Sequence, residues 1–96
     1  MNNLLNNDLA ECIYLAVDAE QQHLPLNQCV ANALKTYFEQ LDGHSPANLY
    51  EMLITEVEVP LLQAALAYTY GNQSRAAEIL SINRGTLRKK LKQYGL

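Results

Sequence analysis

Residues 72–96 read NQSRAAEILSINRGTLRKKLKQYGL, and the spacing inside this stretch decides the fold. Asn72 stands where a side-chain oxygen can cap a short helix, 73 to 80, whose apolar side is Ala76, Ala77 and Leu80. The small Ala77 permits close approach of a neighbouring helix. Ser81, Ile82 and Asn83 then make a three-residue turn, with Ile82 turned inward and Asn83 as the next N-cap. A second helix runs from Arg84 to about Gln93. A capped helix, a tight turn with a buried branched residue, and a capped basic helix make a helix-turn-helix by spacing.

Projected at about 100° per residue, Leu87, Leu91 and Tyr94 fall within roughly 60° of one another, a narrow packing stripe. Gly85, Lys89 and Lys92 point the opposite way. Arg84 and Arg88 lie on one flank of that outer face, and Thr86 and Lys90 on the other. The helix therefore presents cations across an arc that fits a nucleic-acid groove. Arg84, at the N-terminal tip, is the candidate for a bidentate contact to guanine O6 and N7. Lys89, Lys90 and Lys92 are read as phosphate contacts, which give affinity without sequence information. Asn72, Ser74 and Arg75 sit at the start of the first motif helix, from where they can donate to phosphate. Glycine at position 85 weakens the first helical turn, and close approach of backbone to groove wall would compensate.

The charge distribution agrees with this reading. Residues 1–70 carry nine acids and one base, Lys35, whereas 71–96 carry Arg75, Arg84, Arg88, Lys89, Lys90 and Lys92 against Glu78 alone. The net charge of −3 is thus a strong dipole, with a polyanion-binding end attached to an acidic module.

Upstream, Pro25 opens an amphipathic helix of about 26 to 41, with Leu26, Val30, Ala33, Leu34, Tyr37 and Leu41 on its apolar side. A second helix begins near Ser45-Pro46, with Ser as the cap and Pro at the first helical position, and runs to about Tyr70. From Leu49 to Tyr70 it is apolar at 15 of 22 positions, with a narrow polar stripe through Glu51, Thr55, Glu58 and Thr69. Such a helix needs burial on most sides, which one partner helix and two short ones cannot give it. A two-fold dimer is the simplest remedy. Pro60 in mid-helix should kink the axis at about 56 to 60 without breaking it. Gly43, Gly71 and Gly95 each follow a helical pattern, where a left-handed cap is needed.

Residues 1–24 are read as a flexible N-terminal arm, 25–70 as dimerisation helices and 71–96 as the helix-turn-helix region. The start, MNNLLNND, lacks the basic and apolar regions of a signal peptide, and two cysteines, Cys12 and Cys29, suggest no disulfide framework. The expected setting is the cytoplasm, away from membranes. His23 and His44 have no carboxylate or cysteine at ligand or triad spacing, so neither an enzyme nor a cofactor is expected.

At the residues GNQSRAAEILSINRGTLRKKLKQYGL the chain resembles the Fis family, named for the factor for inversion stimulation. The resemblance extends through LKTYFEQLDG and LYEMLITEVEVPLLQAALAYTYGNQ and covers roughly Pro25 to Leu96. It implies an all-α, four-helix subunit, an intertwined homodimer core and a DNA-contacting motif at each end. It also implies a nucleoid-associated protein that binds degenerate sites with A·T-rich centres, bends double-stranded DNA and regulates transcription, recombination and replication. Carried over by position, the family's DNA contacts fall on Asn72, Ser74, Arg75, Asn83, Arg84, Thr86, Arg88, Lys89, Lys90 and Lys92. The ridge that contacts RNA polymerase falls on Tyr70, Gly71 and Gln73. The family's arm is a β-hairpin that contacts a site-specific recombinase, and it matches poorly here. Tyr70, Ser81 and Gln93 depart from the family's usual Arg, Gly and Lys. The motif alone would also suit the DNA-binding piece of a larger enhancer-binding activator, and a different class is a protein-interaction adaptor that uses the dimer core with the basic helix solvated. The upstream match favours the free-standing regulator.

Overall fold

In the computed structural model, residues 24–96 are described, and they form four α-helices: α1 (Leu26–Gln40), α2 (Leu49–Tyr68), α3 (Gln73–Leu80) and α4 (Arg84–Tyr94). No strand occurs among the described residues. The expected arm lies outside them but for Leu24. Contacts group the chain into two units that divide between Leu53 and Ile54.

In the first unit, Cys29, Ala33, Tyr37 and Leu41 recur every fourth residue and form the buried line of α1, against which Leu34, Leu49, Met52 and Leu53 pack. The expected stripe needs one correction: Leu26 is exposed, and Cys29, one turn further on, takes its place. Leu26 shares that face by angle, about 20° from Tyr37, but it is the first residue of the helix and stands at the open end of the buried line. The N-terminus forms on Pro25, whose carbonyl accepts from the Gln28 and Cys29 N–H groups.

The start of α2 also differs from expectation. Ser45 and Pro46 lie in irregular chain, and the helix opens at Leu49, after Asn48 at φ 55°, whose carbonyl accepts from the Met52 N–H. The segment before Leu49 carries the chain round so that Leu49, Met52 and Leu53 meet the α1 cluster, and that burial outweighs the local cap. Helix α2 is unbroken at Pro60, as the uninterrupted apolar pattern predicted.

The second unit is built on Leu62, Ala65, Ala76, Ala77, Leu87 and Leu91, with Leu66, Leu80, Ile82 and Tyr94 packed around them. Ala76 and Ala77 are the only small pair in α3, and their burial lets Leu87 of α4 sit fully enclosed. The expected packing stripe of α4 and the inward-turned Ile82 are thus in place.

Helices α2, α3 and α4 share one ending. The N–H groups of Gly71, Ile82 and Leu96 reach the carbonyls of Leu66, Ala77 and Leu91, and the residue before each donates to the carbonyl three back. This is the Schellman motif, and it demands a left-handed residue at Tyr70, Ser81 and Gly95, with φ of 55°, 58° and 71°. Only the last is glycine. Gly71, expected to cap α2, is the second of two left-handed residues, and Tyr70 carries the strained position. The Thr69 hydroxyl supports this end, lying 3.0–3.3 Å from the carbonyls of Ala65, Leu66 and Asn72.

Replacing Ser81 by glycine removes a steric cost of about 1–2 kcal/mol for a side chain in this region. The greater freedom of glycine in the unfolded chain offsets about 0.5–1 kcal/mol of it. Ser81→Gly is therefore expected to stabilise the protein by about 0.5–1 kcal/mol, read as a higher urea midpoint at unchanged slope. An unchanged or lower midpoint would show that the serine is not strained.

Candidate nucleic-acid interface

The two helices of the motif are both capped by asparagine. Asn72 Oδ1 accepts from the Arg75 N–H at 3.1 Å, and Asn83 Oδ1 accepts from the Gly85 N–H at 2.7 Å. In both cases the cap adopts extended backbone, as an N-cap requires. The caps fix where each helix begins, and hence the angular position of every later side chain.

Gly85 has a reason inside the chain itself. A β-carbon there would lie 3.0 Å from the Asn83 Oδ1, so the bare glycine leaves the capping carboxamide room to fold over the first turn.

With Leu87 and Leu91 buried, Arg84, Thr86, Arg88, Lys89 and Lys92 are exposed on the remaining arc of α4, and Asn83 is exposed at its tip. Asn72, Ser74 and Arg75 are exposed at the start of α3. Arg75 pairs with Glu78 at 3.7 Å, but both side chains are largely in solvent, where such pairs are weak and readily exchanged. Tyr70 and Gly71 are exposed, Tyr70 to 98%, while Gln73 is half-buried.

Lys90 is placed differently from its neighbours. Its ammonium lies 2.7 Å from Glu58 Oε2, and the two side chains are only 32% and 20% exposed. The other oxygen of the same carboxylate accepts from the Tyr94 hydroxyl at 2.5 Å. Lys90, expected from the sequence among the phosphate contacts, and Glu58, expected on the polar stripe of α2, are thus paired with each other. One carboxylate on α2 holds two α4 side chains four residues apart. Those two bonds hold the Glu58 carboxyl below the usual carboxylate range, the Lys90 bond most strongly, against the opposing effect of burial. The bond to Glu58, and burial, raise the Tyr94 phenol above its ordinary value, while Thr55 acts in the opposite sense. Lys90 and Tyr94 share a face of α4 by their i, i+4 spacing, which is legible in the sequence; that Glu58 meets them is not.

Among the described residues no cluster of three or more His, Cys, Asp or Glu could hold a metal ion. No helix among them is long and apolar enough to cross a membrane.

Comparison with known proteins accounts for both halves of the sequence. Residues 53–94 match the family described as bacterial regulatory protein, Fis family, and residues 1–46 match the DNA-binding protein Fis N-terminal domain. DNA-binding protein Fis of Pectobacterium carotovorum is 48% identical over 92 residues, which are 96% of this chain and 94% of that protein. The chain belongs to the Fis family. Among other Fis proteins, that of Mannheimia haemolytica is 52% identical over 82 residues, 85% of this chain and 84% of its own. Fis of Sodalis glossinidius is 57% identical over 72 residues, 75% of this chain and 74% of its own. The all-α architecture with a C-terminal helix-turn-helix is that expected for a Fis protein. The match at residues 1–46 also draws into the family the N-terminal stretch that resembled it least.

Proposed function

We propose that this chain is a homodimeric, sequence-degenerate DNA-binding and DNA-bending protein that organises the nucleoid and regulates transcription, and that it is not an enzyme. The observation that carries the reading is the exposed face of α4, where Arg84, Thr86, Arg88, Lys89 and Lys92 stand clear of the buried Leu87–Leu91 line. Arg84 reads a guanine edge in the major groove. Arg88, Lys89 and Lys92, with Arg75, bind phosphates, and Ser74 and the amide nitrogens of Asn72 and Asn83 add neutral donors. The names of the Fis relatives, all DNA-binding proteins, support the same partner.

Dimerisation is supported by the apolar side chains that a single chain leaves in solvent: Leu26, Phe38, Tyr50, Val57 and Leu61, with Tyr50 at 81% exposure. A second copy covers them, and the two-fold axis then relates two copies of α4. Straight B-DNA accepts two such helices about 34 Å apart. A closer pair engages both half-sites only if the duplex bends toward the protein, which an A·T-rich centre eases. RNA polymerase at Tyr70, Gly71 and Gln73, and a recombinase at the N-terminal arm, are further proposed partners. The cell compartment is the nucleoid within the cytoplasm.

The test is competition between a specific site and random duplex. Arg84→Ala is expected to reduce the specific-to-random affinity ratio by roughly 5- to 150-fold, the value of about 1–3 kcal/mol for one bidentate base contact. Random-duplex affinity should change far less. An unchanged ratio would refute the assignment.

A further inference from the structure

Taking α4 as the DNA-reading helix, we propose that Glu58 is a positioning and specificity-determining residue, which holds Lys90 back from the DNA and so limits sequence-independent affinity. Three features carry this. The carboxylate uses both oxygens, one on Lys90 at 2.7 Å and one on Tyr94 at 2.5 Å, so it grips α4 at two points one turn apart. Two bonds to one rigid group define the rotation of a helix about its axis, which single packing contacts leave loose. That rotation decides which way Arg84 and Arg88 face, because they lie on the same helix. The grip also changes the charge count. Of the cations on α4, Lys90 is the one whose countercharge is built into the fold.

A Lys90 ammonium that turned to a phosphate would leave Glu58 partly desolvated and without that cation, on the body from which α4 projects. Both effects oppose DNA binding: an unpaired, half-buried carboxylate is costly, and its charge repels the phosphates. Lys90 is thus excluded from the phosphate contacts of α4, although its residue type and neighbours in the sequence match theirs. The benefit is discrimination. A phosphate contact strengthens binding to every sequence alike, so a cation withheld from the backbone leaves the Arg84 base contact a larger share of the affinity.

Glu58→Gln keeps a hydrogen-bond acceptor for Tyr94 but removes the charge that retains Lys90. Titration of the full chain with a random duplex across a salt series separates the possibilities. Each added phosphate contact steepens the slope of log K against log salt by about 0.9. In a dimer, Glu58→Gln is expected to steepen it by about 1.8 and to raise random-duplex affinity several-fold at 0.1 M salt. Lys90→Gln, which also breaks the pair, should leave the slope at the parent value, and the double variant should return to it. A purely structural role for Glu58 would lower the melting temperature of both single variants and steepen neither slope. An unchanged slope in Glu58→Gln, or a slope shallower by about 1.8 in Lys90→Gln, would overturn the proposal while leaving DNA binding intact. A parent chain that binds no duplex at low salt would overturn the DNA-binding reading and this inference with it.

Discussion

Leu87→Ala is expected to lower the melting temperature more than any change on the exposed face of α4. Leu87 is 0% exposed and lies in one cluster with Leu62, Ala65, Ala76, Ala77 and Leu91. The neighbours that α3 contributes, Ala76 and Ala77, are too short to fill the space left. A buried leucine cut to alanine costs about 2–5 kcal/mol, and poor collapse favours the upper part of that range. For a chain of this length each kcal/mol lowers the melting temperature by about 4–8 °C, so a fall of well over 10 °C follows. Circular dichroism during heating measures it, with Arg88→Ala as the comparison, since an exposed substitution should stay within about 0.5 kcal/mol of the parent. The DNA readout should differ too. Loss of the Leu87 support should weaken specific and random duplexes together, whereas Arg84→Ala separates them. A Leu87→Ala protein that melts with the parent would mean that α4 is held by something other than this cluster.

Affinity for duplex DNA should fall by roughly 10⁴ between 50 and 200 mM salt. In the proposed complex four cations per subunit, Arg75, Arg88, Lys89 and Lys92, reach phosphates, and each would contribute about 0.9 to the slope. Two subunits bring the slope to about −7, whereas one subunit bound alone would give about −3.6. The salt series therefore reads the stoichiometry as well as the charge. The same series on circularly permuted duplexes with A·T or G·C centres tests bending. The A·T centre should bind more tightly and shift mobility with site position, because narrowing the central minor groove is easier there. A slope near −3.6, or equal affinity for the two centres, would refute the two-fold bending mechanism.

Features set by near neighbours were legible in the sequence. Asn72 and Asn83 cap because a short polar side chain reaches the backbone two or three residues on, whatever surrounds it. The Leu87–Leu91 line, the Ala76–Ala77 contact and the inward Ile82 follow from helical spacing and side-chain size. The exposed arc of α4 follows in turn, since burying one stripe leaves the rest to solvent. Long apolar runs such as α2 told of a helix, and their excess appears in the structure as the exposed Tyr50, Val57 and Leu61.

Other features required the tertiary structure, for identifiable reasons. Ser45-Pro46 is a good local cap, but α2 begins where Leu49, Met52 and Leu53 can pack against the buried line of α1, and packing of three side chains outweighs one capping bond. Glycine marks the left-handed position only when its place in the hydrogen-bond pattern coincides with it. At the end of α2 the carbonyl of Leu66 is reached by the Gly71 N–H, which puts Tyr70, not Gly71, at the residue before it. The Glu58–Lys90–Tyr94 grip joins residues more than thirty positions apart in the chain, and no periodicity carries that information. Lys90 has the same composition-level signature as Lys89 and Lys92. Its separate placement arises because the packing of α4 on α2 brings the Glu58 carboxylate to Lys90 and Tyr94, not to Lys89 or Lys92.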